Sequence, residues 1–221
     1  MAVIKHKDQR VGIFIDTQNL YHSAKNLYHA RVNFGAIVKE ALGGRSLIRA
    51  VAYVITTESG EEKAFFEALE KVGIETKTKN LQIFVGGSKK ADWDVGLAVD
   101  AIKLAPKLDT VILATGDGDF VPLVEYLRTN QGCQVEVISF GKSTSSMLRE
   151  ATDDFIDMCD NPRKYLLGTV SGISNGKAKG ERGDRGEKAP RTERSTTDRS
   201  EKQNGTGITK IVQDKPEIDL E

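Results

Sequence analysis

Residues 111–120 read Val-Ile-Leu-Ala-Thr-Gly-Asp-Gly-Asp-Phe, a short apolar run that ends in two glycines and two aspartates. Such a run is typical of a strand covered on both faces. Gly116 and Gly118 allow a tight turn, and the apolar spacing that follows predicts an amphipathic helix with Asp119 as its N-cap. Asp117 and Asp119 would then follow the carboxyl end of a parallel strand, where open α/β sheets bind ligands. A turn aspartate and a capping aspartate would explain the same pattern without any function.

Apolar runs alternate with amphipathic segments through most of the chain. Strands are predicted at 11–15, 47–55, 74–78, 81–85, 111–114 and 134–140, and helices at 17–30, 33–42, 61–72, 92–105, 120–127 and 144–151. The strands at 74–78 and 81–85 are interpreted as a hairpin that turns at Lys79 and Asn80. The alternation elsewhere predicts βαβ crossovers, and hence an α/β fold with a mostly parallel sheet under helices on both faces.

The composition divides the chain into three parts. Residues 1–10 are a polar lead-in, residues 11–167 contain the apolar runs of a folded domain, and residues 168–221 carry no aromatic residue. This last part is rich in Gly, Lys, Arg, Glu, Ser and Thr, and it cannot bury enough apolar surface to offset the entropy cost of ordering. We therefore predict a disordered polyampholyte tail, which could dock a protein partner.

The charge and cysteine content exclude few partners but indicate a compartment. Lys plus Arg and Asp plus Glu number 32 each, so the net charge favours neither a nucleic acid nor an acidic substrate. Cys133 and Cys159 cannot form a disulfide framework, which suits a reducing environment. No stretch approaches the ~18 apolar residues of a membrane span. We expect a cytoplasmic protein with no membrane association, and leave a homo-oligomer open.

Carboxylates from separate segments are expected to meet at one edge of the sheet. Asp16 follows the first strand, Asp117 and Asp119 follow the central one, and Asp94 lies near the start of the helix that leads into it. Like charges oppose each other's ionisation, so a cation should share this site. The three histidines and two cysteines are not spaced as a zinc site. Oxygen ligands favour Mg²⁺ or Mn²⁺, ions that activate water for attack on phosphorus.

Polar residues beside these acids are candidates for binding substrate. Asn19 lies one helical turn after Asp16, and Thr115 directly precedes the glycine-aspartate turn. Lys89 and Lys90 could meet a polyanion. Each has a structural alternative: a hydrogen bond to the loop for Asn19, strand propensity alone for Thr115, and solvated side chains for the two lysines. Asp92 is interpreted as the N-cap of its helix.

Three other acids are assigned mainly to structure or solvent. Asp100 lies six residues after Asp94 and so on a different helix face, with Lys103 as its expected neighbour. Asp153 and Asp154 follow the last predicted helix. They are interpreted as solvated surface acids, with an outer carboxylate of the site as the alternative.

Taken together, four motifs resemble the NYN domain family (LabA-like), which belongs to the PIN-like nuclease superfamily. The motifs are residues 14–20, 94–101 and 115–123 and the pattern Ser146…Leu148…Ala151…Asp153…Phe155. The resemblance covers roughly residues 10–160. It implies a three-layer α/β/α sandwich with a central parallel sheet and metal-dependent endoribonuclease chemistry.

The resemblance also implies roles for individual residues. Asp16, Asp94, Asp117 and Asp119 match the acidic metal-binding residues of the family, and Asn19 matches the asparagine of its first motif. The chain departs from the family before Asp94, where Lys-Lys-Ala-Asp-Trp replaces a shorter Lys-Gly-Val type of sequence.

Three functions compete. The leading hypothesis is a Mg²⁺- or Mn²⁺-dependent ribonuclease in which Asp16, Asp94, Asp117 and Asp119 hold the metal and single-stranded RNA is the substrate. The second is a regulatory module that binds RNA or protein without turnover. The third is a hydrolase of small phosphoesters. A haloacid-dehalogenase-type phosphatase is disfavoured because no second aspartate lies two residues after Asp16, and a P-loop or dinucleotide fold because the first strand lacks a glycine-rich fingerprint.

Overall fold

The computed structural model describes residues 3–56, 63–80, 82–83, 89–90 and 93–168. The strands are β1 (Arg10–Asp16), β2 (Arg31–Val32), β3 (Ser46–Thr56), β4 (Glu75–Asn80), β5 (Gln82–Ile83), β6 (Lys89–Lys90), β7 (Thr110–Ala114), β8 (Gln134–Ser139), β9 (Asp154–Asp157) and β10 (Leu166–Leu167). The helices are α1 (Thr17–Tyr28), α2 (Phe34–Leu42), α3 (Lys63–Lys71), α4 (Asp94–Leu104), α5 (Val121–Thr129), α6 (Ser146–Ala151) and α7 (Pro162–Tyr165).

Six strands form a central sheet in the order β4-β3-β1-β7-β8-β9, and every neighbouring pair is parallel. Two small antiparallel pairs, β10 with β2 and β5 with β6, lie outside it. Because the strands are parallel, all six carboxyl ends lie at the same edge of the sheet. The predicted α/β class is confirmed, as is the predicted parallel sheet.

Alternate residues along each strand pack into two separate hydrophobic clusters, one on each face of the sheet. One cluster joins Ile13, Ile15 and Ala52 to helices α1, α2 and α3. The other joins Phe14 and Val51 to helices α4, α5 and α6. The sheet is therefore the middle of three layers, as the buried apolar runs predict.

The edge half of the sheet is polar on the α4 side. There the side chains of Arg49, Glu75 and Lys79 are exposed, and only Lys77 of β4 is partly buried. The opposite face of the same strands lies under α2 and α3. This uneven cover leaves a polar surface beside α4.

Three local predictions are wrong. The predicted hairpin at residues 74–85 does not form, since β4 continues through Asn80 as a parallel partner of β3 and the short β5 pairs with β6. Lys89 and Lys90, which lie outside every predicted strand and helix, form β6. Asp119 caps no helix, because Asp117 is the N-cap of the 3-10 turn Gly118–Phe120. The carboxylate of Asp117 accepts the backbone N–H of Asp119 at 3.0 Å.

Some predictions fall outside the described residues. These are the capping role of Asp92 and the disordered tail, of which only Gly168 is described. In the part of the chain that the structure describes, every helix is too short or too polar to cross a bilayer.

Candidate active site

Asp16 is fixed by two elements at once, because it ends β1 and is also the N-cap of α1. Its Oδ1 accepts the backbone N–H of Asn19 at 3.0 Å, as expected of a capping aspartate. Its Oδ2 accepts the hydroxyl of Thr115 at 3.1 Å. Since β1 and β7 are neighbours in the sheet, these bonds tie the end of one strand to the loop of the next.

A residue of α1 also holds the loop that follows β7. The side-chain oxygen of Asn19 accepts the backbone N–H of Gly116 at 2.9 Å. The hydroxyl oxygen of Thr115 accepts the N–H of Asp117 at 3.2 Å. The two loops therefore share a network in which each acid is oriented by residues of both.

Gly116 also lies against the loop that follows β8. Its carbonyl accepts the N–H of Ser145 at 2.9 Å. A Cβ at this position would lie 3.1 Å from the carbonyl oxygen of Ser143 and 3.1 Å from the Cα of Thr144. The close approach favours glycine, because any larger residue would push the β8 loop away by a few tenths of an ångström.

A cavity of about 240 Å³ opens at this edge of the sheet. Asp94 reaches it from the first turn of α4, while Asp16 and Asp117 reach it from the ends of β1 and β7. The lining residues are Asp16, Gln18, Asn19, His22, Tyr53, Ile55, Trp93, Asp94 and Asp117. Three of the four predicted acids thus line one cavity.

The remaining predicted residues lie differently. Asp119 is exposed and does not line the cavity. Thr115 is buried behind it, where its hydroxyl is engaged with Asp16 and Asp117. Lys89 and Lys90 are described only as backbone, so the positions of their side chains stay a prediction.

The cavity has an acidic, partly desolvated floor. Burial raises the pKa of Asp16 and the nearby Asp117 carboxylate raises it further, whereas hydrogen bonds from Asn19 and Thr115 act in the opposite direction. None of the salt bridges among the described residues involves Asp16 or Asp117. A cation bound here would relieve both the desolvation and the repulsion.

The oxygen atoms at this cavity suit a divalent ion that keeps several bound waters better than an ion surrounded entirely by protein ligands. Within the described ranges, no three His, Cys, Asp or Glu side chains are close enough to surround a metal ion. Mg²⁺ keeps several waters in proteins and is commonly held by one or two carboxylates. The oxygens of Asp16, Asp94, Asp117 and Asn19 are the ligand type that Mg²⁺ and Mn²⁺ prefer.

The family model of the NYN domain matches residues 10–159 of this chain. The chain belongs to the NYN domain family. The resemblance expected from the four motifs is confirmed, and the six-stranded parallel sheet agrees with the PIN-like nuclease fold that it implied.

The chain is also similar to two individual proteins. The chain is 28% identical over 165 residues to the low amplitude and bright protein LabA of Synechococcus elongatus, covering 70% of this chain and 86% of that relative. It is also similar to the crystal structure of VPA0982, a protein of unknown function from Vibrio parahaemolyticus. That match has a TM-score of 0.67 and 32% identity, and it covers 75% of this chain and 100% of the other.

The aromatic wall of this NYN domain was not predicted from the sequence. The ring of Trp93 packs edge-on against Tyr53, with centroids 5.5 Å apart, and its Nε1 donates to the carbonyl of Val54 at 3.0 Å. The ring also covers Gly96, where a Cβ would lie 2.5 Å from the indole. A tryptophan directly before Asp94, with glycine one turn later, is the signal that could have found it.

His22 is the other lining residue that sequence reasoning missed. It lies on α1, three residues after Asn19 and four after Gln18. Residues at these spacings share a helix face. The same spacing that placed Asn19 near Asp16 therefore could have placed His22 at the cavity.

Asp100 has other partners than the sequence suggested. Its carboxylate accepts the Tyr53 hydroxyl at 2.8 Å and pairs with Lys77 at 2.5 Å, whereas Lys103 contributes only a longer-range charge. The predicted pairing with Lys103 is therefore wrong. Asp100 links α4 to the α4 side of β3 and β4.

Asp153 and Asp154 lie at the opposite, amino-terminal edge of the sheet. Asp153 pairs with Arg128 at 2.7 Å and accepts the N–H of Val135, and Asp154 pairs with Lys5 at 2.7 Å. Neither is an outer carboxylate of the cavity, and both are ion-paired rather than only solvated.

Proposed function

We propose that this protein is a metal-dependent ribonuclease that cleaves single-stranded RNA at the cavity of Asp16, Asp94 and Asp117. One observation carries the proposal. Two strand ends and one helix start bring these acids to a single cavity, and neither Asp16 nor Asp117 has a basic partner among the described residues. Membership of a family with a nuclease fold supports the same chemistry.

Mg²⁺ or Mn²⁺ is the proposed cofactor, with Asp16, Asp94 and Asp117 as its ligands. When bound, such an ion supplies activation of the attacking water and neutralises charge on the phosphoryl group. Asp119 is exposed two residues beyond Asp117, so in this proposal it acts from outside the cavity, on solvent or substrate at the rim.

The other residues of the cavity have positioning roles. Thr115 and the backbone of Asn19 fix the two oxygens of Asp16, so that the carboxylate is oriented before any ligand arrives. The rest of the Asn19 amide is available to a substrate phosphate or its solvent. Trp93 and Tyr53 offer aromatic surface for a base, which is how proteins commonly hold unpaired nucleotides.

A binding module without turnover is the second candidate. It is favoured by the absence, within the described ranges, of three acids close enough to enclose a metal. In that case the protein would bind RNA and the acids would tune affinity for it. The tail of residues 168–221 would serve a protein partner.

The decisive experiment is cleavage of fluorescently labelled single-stranded RNA by the purified full chain with Mn²⁺, Mg²⁺ or EDTA. We expect products only with a divalent ion, and a loss of at least about 100-fold in Asp16→Asn and Asp117→Asn, because removal of one electrostatic group commonly costs that much. Asp8→Asn, which changes an exposed acid of the lead-in, should cleave like the parent.

The other outcomes are equally informative. Cleavage that survives in Asp117→Asn would indicate a contaminating nuclease and overturn the proposal. RNA binding without cleavage by any of the ions would establish the binding module instead. Turnover of p-nitrophenyl phosphate without cleavage of RNA would identify a small-phosphoester hydrolase.

A further inference from the structure

A second cavity, of about 220 Å³, lies on the α4 side of β3 and β4. It is lined by Phe14, Arg49, Val51, Lys77, Asp100, Lys103, Leu104 and Lys107. We call the charged members Arg49, Lys77, Asp100, Lys103 and Lys107 the lysine face. Four of these five side chains are cationic, so the second cavity has a charge opposite to that of the first.

The two cavities are adjacent along β3. Tyr53 lines the acidic cavity, and Val51, two residues earlier in β3, lines the cationic one. Residues two apart on a strand lie on the same face about 7 Å from each other. The hydroxyl of Tyr53 donates to Asp100 at 2.8 Å, so a side chain of the first cavity is bonded directly to one of the second.

One further cation, Lys79, continues this surface toward the acidic cavity. Lys77 lies beside Tyr53 in the parallel register of β3 and β4, and Lys79 lies beside Ile55. The Lys79 ammonium is 5.8 Å from the centre of the Trp93 ring. The positive charge therefore extends along β4 up to the aromatic wall of the acidic cavity.

The internal ion pairs do not neutralise the lysine face. Arg49 is held by Glu75 through two hydrogen bonds of 2.7 and 2.6 Å, and Lys77 is held by Asp100. Lys103 and Lys107 are exposed and form no salt bridge among the described residues. Two cations thus remain for an external anion, at the side of a cavity already shaped by paired neighbours.

We propose that the lysine face binds backbone phosphates of the RNA strand whose scissile phosphate lies in the acidic cavity. This inference rests on the proposed function, and it adds the path of the substrate. A strand that passes from one cavity to the other crosses Tyr53 and Trp93, where a base can stack, before its phosphates reach Lys103 and Lys107. RNA that is long enough to span both cavities should bind more tightly than RNA that fills only the first.

The test measures binding without turnover. Fluorescence anisotropy of a labelled single-stranded 12-nucleotide RNA and of a trinucleotide is followed in EDTA, at several salt concentrations, for the full chain and for Lys103→Gln/Lys107→Gln. We expect the double variant to bind the 12-nucleotide RNA about tenfold more weakly, with a salt slope smaller by about 1.4, because each lost phosphate contact removes about 0.7. Trinucleotide binding should change little.

Lys39→Gln/Lys71→Gln is the matched control. Each of these lysines lies, like Lys103, in the last turn of a helix, but on α2 and α3 at the opposite face of the sheet. An equal loss of affinity in the control, or unchanged affinity in Lys103→Gln/Lys107→Gln, would overturn the proposal. A loss of AMP binding in that variant with unchanged RNA binding would identify a mononucleotide site and would also overturn it.

Cleavage assays with Mn²⁺, run in parallel, separate this inference from the proposed function. If the parent cleaves no RNA but the double variant loses affinity for the 12-nucleotide RNA, the lysine face stands and the nuclease proposal fails. If the parent cleaves and the double variant binds and cleaves like it, the nuclease proposal stands and the lysine face fails.

Discussion

At the amino-terminal edge of the central sheet, Glu136 is fully buried and meets Arg45 through contacts of 2.6 and 2.9 Å, with Lys5 at 3.0 Å. At the carboxyl-terminal edge, the half-buried Asp16 meets a hydroxyl, a backbone N–H and another acid, Asp117. Both edges carry carboxylates out of water. The two edges differ in whether a basic side chain of the protein compensates the negative charge of the carboxylate.

The difference separates structural acids from functional ones. A buried charge that is paired and hydrogen-bonded holds elements together, and the Arg45 guanidinium also donates to the carbonyls of Ala41 and Leu42 at the end of α2. A half-buried acid without a cation destabilises the fold unless a ligand compensates it. A destabilising charge of that kind is commonly tolerated at functional sites. Substitutions at the two edges should therefore have opposite signatures.

The largest effect is expected at the paired edge. Arg45→Met leaves Glu136 buried with only the Lys5 ammonium and the Gln134 amide among its described partners, so the free energy of unfolding should fall by about 3–5 kcal/mol. Urea denaturation of the full chain measures it. Arg49→Met, which breaks the exposed pair with Glu75, is the matched control and should cost no more than about 1 kcal/mol. Similar losses in the two variants would show that burial of the pair adds nothing.

The next effect tests how the acidic edge is held. Gly116→Ala places a Cβ against the backbone of Ser143 and Thr144 and should lower the free energy of unfolding by about 1–3 kcal/mol. A Cβ at Gly118 would meet one side chain and no backbone: it would lie 2.7 Å from the Oγ of Ser145, which can rotate away, and 3.0 Å from the Cβ of Ser145, which must shift slightly. Gly118→Ala should therefore be the milder change in urea denaturation. If Gly118→Ala were the more destabilising change, the backbone of Ser143 and Thr144 in the β8 loop would be able to move away from a Cβ at position 116.

This edge was largely foreseeable from the sequence, and the reason is geometric. Apolar runs identified β1 and β7, and parallel strands place the residues after them at one edge, so Asp16 and Asp117 could be brought together without coordinates. Edge strand β4 was harder, because Glu-Thr-Lys-Thr-Lys-Asn lacks the apolar face of a covered strand and its last residues resemble a turn. The false hairpin followed from that.

Pairings between distant side chains could not be predicted. The contacts of Asp100 with Lys77 and of Glu136 with Arg45 join residues 23 and 91 positions apart, and no local spacing encodes them. Helical spacing suggested Lys103 for Asp100, but the neighbouring strand supplied a closer cation. The wall of Tyr53 and Trp93 depends in the same way on how α4 packs beside β3.

A smaller effect, of opposite sign, is expected at the acidic edge. Asn keeps the capping oxygen and the size of Asp, so Asp16→Asn should leave the free energy of unfolding unchanged or raise it by up to about 1 kcal/mol. Burial raises the folded pKa of Asp16 above its unfolded value of 3.8, so the parent loses stability as the pH rises from that unfolded value through the folded one, above which the loss is complete. The advantage of the variant should therefore grow from acidic to neutral pH.

The parent and Asp16→Asn also test whether a divalent cation binds at the acidic edge. Millimolar Mg²⁺ or Mn²⁺ should raise the thermal midpoint of the parent and raise that of Asp16→Asn less, because a ligand stabilises the state that binds it. Glu136→Gln, the matching exchange at the paired edge, should lower stability and keep the full response to the ion. An equal response in Asp16→Asn and the parent would remove Asp16 from the ion site.

The smallest effect concerns the exposed pair of the paired edge. Arg10 holds Asp109 through two side-chain bonds and donates its backbone N–H to the same carboxylate, and this lowers the pKa of Asp109 to about 2. A lowered carboxyl pKa stabilises the fold above the unfolded value of 3.8, and that contribution is lost as the pH falls toward 2. Thermal midpoints of the parent and Asp109→Asn should thus differ slightly at pH 5 and converge near pH 2. A difference that stays constant over this range would mean that the bonds of Arg10 act through geometry alone, and charge pairing would then distinguish the two edges only where it is buried.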